Sequence, residues 1–140
     1  MRLIGFNFDK ISIERTSDSF KGLNIDTKID VSEIKDSESN LLKIEGELIT
    51  VKFKYSVEYE PKIAKLELGG NIILKTDKDE KEDIMKQWKD KKMPEDFKIT
   101  LFNIILRKSN IKALELEDEL NLPLHIPLPN LKKQEEGESK

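Results

Sequence analysis

The residues able to do chemistry are few and scattered. The chain holds a single histidine, His125, and no cysteine. His125 lies in "NLPLHIPLPNL", residues 121–131, between Leu124 and Ile126, with no acidic residue within five positions. A catalytic imidazole needs one nitrogen oriented by a partner and the other facing substrate. Neither condition is visible in the sequence, and His125 reads as a structural or surface histidine. Ser17, Ser19 and Ser37 lie in no nucleophile-elbow context, and no glycine spacing matches a phosphate-cradling loop. Glu115, Glu117, Asp118 and Glu119 could bind a hard cation or act as an acid–base pair, but no calcium-loop glycine or ligand spacing accompanies them. They read as a solvated helix face. In "KQWKDKK", Lys86 to Lys92, Trp88 could stack on a nucleobase, yet the neighbouring acids favour an amphipathic helix with Trp88 in the core or at an interface. The absence of cysteine also removes a disulfide framework, a thiolate nucleophile and a thiolate zinc site. The expectation is a non-enzyme without metal or cofactor.

Composition narrows the class. With 28 acids against 25 bases the net charge is −3, which provides no global field for nucleic acid or anionic lipid. At 140 residues the chain is read as one domain over 1–131, followed by a polar, disordered tail, "KKQEEGESK", over 132–140. The apolar start from Met1 to Phe8 is interrupted by Asp9, and no stretch approaches the ~18 apolar residues of a membrane span. A cytoplasmic setting is expected.

The elements that would position these residues begin with "ITVKFKYSVEY". Ile49, Val51, Phe53, Tyr55, Val57 and Tyr59 alternate with polar residues, the signature of a strand with one wet face. Glu60, Pro61 and Lys62 break the alternation before Ala64, Leu66, Leu68, Ile72 and Leu74 resume it, which predicts a hairpin with a bulge or bend at Gly69–Gly70. Leu42, Ile44 and Leu48 are out of phase with the run from Ile49, which predicts a bulge or bend near Gly46 to Ile49 that returns both sets to one face. Phe6 and Phe8 against Ile11 and Ile13 show another slip, and Leu23, Ile25, Ile29 and Val31 alternate in a further strand.

After Leu74 the period becomes helical. Asp77 and Glu80 resemble a capping box, with acids leading and lysines trailing around the stripe Ile84, Met85 and Trp88. Pro94 should open a second helix, in which Phe97, Leu101, Phe102, Ile104, Ile105 and Leu106 leave little polar surface. One sheet covers only one side of such a helix, so Leu101, Phe102 and Ile105 are expected at an interface with a second subunit. A short third helix is expected between Asn110 and Glu119. Pro123, Pro127 and Pro129 then enforce an extended strip to Leu131. The predicted fold class is α+β: a four-stranded antiparallel sheet with two to three helices on one face.

Two stretches carry a family likeness. "VKFKYSVEYEPKIAKLELGGNIIL", Val51 to Leu74, is similar to the central hairpin of the SecB-type export chaperones. "MPEDFKITLFNIILRKSNIKALELEDELNLPLHIPLPNL", Met93 to Leu131, resembles that family's proline-led buried helix and the proline-containing apolar loop after it. The resemblance implies a homo-oligomeric, ATP-independent holdase for unfolded polypeptides. Here Lys132, Lys133 and Lys140 balance Glu135, Glu136 and Glu138, unlike the acidic tail that bacterial members offer to the export motor. On this reading Leu122, Leu124, Ile126 and Leu128 form one wall of a client groove, kept extended by prolines, and Trp88 and Phe97 line the other. The alternative is an oligomeric scaffold or adaptor for one folded protein partner, with its apolar surface spent on subunit contacts.

Overall fold

The computed structural model describes residues 1–37 and 46–133. Four strands, β1 (Arg2–Arg15), β2 (Asn24–Ser37), β3 (Glu47–Glu60) and β4 (Ala64–Thr76), form one antiparallel sheet in the order β1-β4-β3-β2. Two helices follow, α1 (Lys78–Trp88) and α2 (Glu95–Glu119). The central strands β3 and β4 are the ones whose alternation is cleanest, because they carry one buried face along their whole length. Ile49, Val51, Phe53, Tyr55, Val57 and Tyr59 from β3 meet Ala64, Leu66, Leu68, Ile72 and Leu74 from β4 beneath the helices, all buried. The opposite face is a lattice of charge in which Glu67 accepts from Lys10 at 2.6 Å and pairs with Lys65 at 3.0 Å and Lys54 at 3.6 Å. Donation from Lys10 and Lys65 holds the Glu67 carboxyl at about 2.

The phase slips of the sequence resolve differently along the sheet. The slip between Phe8 and Ile11 is a bulge in β1 at Asp9, lying against Gly69 and Gly70 of β4. The irregularity expected at the glycine pair thus belongs to its neighbour. Gly70 is required there because a Cβ would fall 2.1 Å from the Asn7 carbonyl oxygen. No bend returns Leu48 to the face of Ile49: the ladder runs regularly through Leu48–Lys75 and Ile49–Leu74, so the two side chains take opposite faces. Leu42 and Ile44 lie outside the described residues, as do positions 134–140 of the expected tail.

Asp77 caps α1, its carboxylate accepting from the Glu80 N–H at 2.7 Å. Lys81 then ties α1 to the sheet through Asp36 of β2 and Glu47 of β3. Helix α2 starts just after Pro94 and runs unbroken for 25 residues, so the helix expected from Asn110 to Glu119 is its C-terminal part. Its buried residues, Phe97, Leu101, Ile105, Ser109, Ala113 and Glu117, recur at every fourth position. This stripe drifts around the helix because four residues exceed one turn of 3.6, and the helix accordingly crosses from one apolar cluster to another. The first cluster joins Ile49, Val51, Phe53, Ile72 and Leu74 to Ile84, Phe97, Leu101 and Ile105. The second joins Tyr55, Val57, Tyr59, Leu66 and Leu68 to Ala113 and Leu122.

Candidate functional site

At its C-terminal end α2 turns the chain back on itself. Asn121 adopts the left-handed conformation, φ 55°, which asparagine tolerates better than most residues. Its N–H donates to the Asp118 carbonyl, and the Leu122 N–H donates to the Glu117 carbonyl at 2.9 Å. This paired pattern is a Schellman motif, and it places the residue after the left-handed position against the helix it has just left. Leu122 is accordingly buried. The carbonyls of Leu120 and Asn121, left without helical partners, accept from the Arg15 guanidinium at 2.9 and 3.2 Å.

The segment after the turn forms a strap over the second cluster. The Tyr59 hydroxyl donates to the Pro123 carbonyl at 2.7 Å. Two residues on, His125 enters a largely buried polar network. Its Nδ1 lies 2.9 and 2.8 Å from the two oxygens of Glu117, and its backbone N–H donates to the same carboxylate at 3.2 Å. A carboxylate only accepts, so Nδ1 carries a proton. On the other side of the ring, Nε2 is 2.8 Å from the Tyr55 hydroxyl and 3.1 Å from the Asn110 Oδ1, and the hydroxyl itself donates to that Oδ1 at 2.6 Å. The Glu117 side chain is 0% exposed and that of His125 3%. Burial first, and the Glu117 charge second, push the Tyr55 and Tyr59 hydroxyls above the ordinary tyrosine range. Both act as neutral donors.

A tyrosine, histidine and glutamate in sequence resemble a proton relay, but a relay needs room for a substrate. Here the ring, the carboxylate and the phenol bond to one another in a closed set. Surface hollows lie on the charged sheet face around Asp9, Lys52 and Asn71, beside Lys54 and Glu67, and at the β3–β4 turn around Glu14 and Glu60. Among the described residues no three His, Asp or Glu side chains converge as a metal site. The arrangement works as a clamp that fastens the strap.

These positions reorder the sequence reading. Glu117, expected on a solvated face with Glu115, Asp118 and Glu119, is buried because it falls on the every-fourth-residue stripe facing the sheet. Leu101 and Ile105, expected at a subunit interface, are wholly covered by the protomer's own sheet, and only Phe102 of that trio remains partly open. Phe97 is buried in the first cluster and Trp88 packs against it, whereas Leu122 belongs to the second. Trp88 is further occupied by the Lys91 ammonium, 4.6 Å from its ring centroid. Along the strap, Leu124 and Ile126 are half-buried and Leu128 is exposed. The large apolar side chains offered to solvent include Ile99 and Ile111 on α2, 53% and 62% exposed, and Leu128, 56% exposed. Among the described residues no helix is long and apolar enough to cross a membrane.

Comparison with known proteins gives one kind of match. No family model matches the sequence, and no curated protein is similar to it. Among solved structures the fold resembles the Mycobacterium tuberculosis SecB-like chaperone Rv1957, determined in complex with a ChAD peptide from the HigA1 antitoxin. The match covers 96% of this chain and 92% of that one, with a TM-score of 0.54 and 10% sequence identity. At that identity the likeness shows a SecB-like fold.

Proposed function

We propose that this chain is an ATP-independent holdase that binds apolar segments of unfolded or partly folded polypeptides. The observation that carries the reading is the near full-length likeness of its fold to a chaperone described as bound to a peptide. Its chemistry supports the same role: the conspicuous titratable cluster is closed on itself, while isoleucines and leucines stand exposed on α2 and the strap. Holding requires no bond to be made or broken. Affinity comes from many apolar contacts, which must exceed the ordering entropy of the client. Such a protein would act in the cytoplasm as a homo-oligomer. Ile99 and Phe102 on the outer side of α2, rather than Leu101 and Ile105, would meet a second subunit. Leu124, Ile126 and Leu128 would line the path of the client.

Aggregation of a chemically denatured model protein, followed by light scattering with the purified full chain present, tests the reading. A holdase suppresses scattering without nucleotide at near-stoichiometric ratios. No suppression at a several-fold excess of the chain would overturn it. Binding of an apolar dye to the assembled protein separates a holdase from a scaffold, since a sealed oligomer offers the dye little surface.

A further inference from the structure

Resting on the holdase reading, we infer that the segment 121–127 is a displaceable strap: it occupies the groove between β3 and α2 that an extended apolar client segment takes in its place. The groove already holds a segment of chain that is neither helix nor strand. Pro123 and Pro127 exclude helix and remove ladder donors, and the strap bends at His125 and Ile126 between them.

Its attachment is graded along its length. Leu122 is buried, Pro123 to Ile126 are half-buried, and every residue from Pro127 to Lys133 is exposed. The strap is thus fixed at its helical end and loose at the other, a geometry that allows peeling from the loose end without disturbing α2. Three of its ties run between body side chains and strap backbone: Arg15 donates to the Asn121 carbonyl, Tyr59 donates to the Pro123 carbonyl, and Glu117 accepts from the His125 N–H. Bonds to a carbonyl do not read sequence, so a client backbone could accept from Tyr59 equally well. Among the described residues, the strap side chain locked by hydrogen bonds is His125, held by Glu117, Asn110 and Tyr55. While it is closed, the client competes with an intramolecular occupant, and the apparent affinity falls by the fraction of molecules that are open.

The test uses the full chain and a fluorescently labelled, alkylated model protein that cannot refold. His125→Ala removes the lock, and amide exchange at 122–126 reports whether the strap has loosened. Tyr55→Phe, which deletes one hydroxyl and little volume, serves where the first variant does not fold. The expected result is faster exchange across the strap together with client binding at least five-fold tighter than wild type. A peptide copying residues 121–131, added in trans, should displace the labelled client from wild type. Faster exchange with client affinity unchanged or weaker, or a peptide that displaces nothing, would overturn the strap proposal while leaving the holdase reading in place. If neither wild type nor variant binds the client, both fall.

Discussion

The two ends of the core lie under the same helix and are built on different physics. At the first, Leu101 and Ile105 pack on Ile49, Val51, Phe53 and Ile72 in an apolar cluster. At the second, two tyrosines, Asn110, His125 and Glu117 complete the packing around Ala113 and Leu122. Apolar packing tolerates many partners of similar volume, whereas a buried carboxylate accepts only a geometry that satisfies it. The first end provides stability, and the second fixes where one segment of chain lies. The difference explains how a strap with little buried apolar area can still have a defined place.

Substitutions at the two ends should separate these roles. Leu101→Ala at the first end should cost about 4 kcal/mol in chemical unfolding, from lost transfer energy and the cavity left behind. At the second end, His125→Leu leaves Glu117 buried without its imidazole partner and should cost about 3 kcal/mol. The double variant Glu117→Leu/His125→Leu should recover most of that loss. A double-mutant cycle showing no coupling would place the clamp outside the core's energetics. Arg15→Met should cost about 1.5 kcal/mol by leaving the α2 terminal carbonyls without their charged donor, with faster exchange confined to the strap.

The smallest effect belongs to the charged face, remote from both ends. The Glu67 carboxyl sits at about 2 in the fold, below its ordinary value of about 4.3. A depressed carboxyl stabilises above the unfolded value, and that contribution disappears as pH falls through the folded one. Glu67→Gln should therefore lose about 1 kcal/mol or less at pH 7, after allowance for solvent screening, and the gap to wild type should close between about pH 5 and pH 2. Unfolding midpoints over that range measure it.

The first end was legible in the sequence and the second largely was not. Period-two alternation marks β3 and β4 because one face is buried throughout, and the slip between Phe8 and Ile11 correctly signals the irregularity at Asp9. Pro94 and Asp77 mark helix starts because capping chemistry is local. Asn110 suggested a boundary, yet its side chain bonds to Tyr55 and His125, so tertiary partners retain it within α2. Glu117 carried a usable signal: continuing the every-fourth stripe of Phe97, Leu101, Ile105 and Ala113 reaches it. Its three acidic neighbours hid that signal. Its pairing with His125 depends on the reversal at Asn121, and eight residues of separation give no warning that a turn will bring the two together.

Hydrogen exchange of the full chain, with and without a saturating amount of an alkylated, permanently unfolded model protein, tests client holding most directly. Holding predicts slower exchange at the half-buried positions of α2, with faster exchange across 122–126 as the strap gives way. Exchange unchanged throughout the chain at saturation would contradict it.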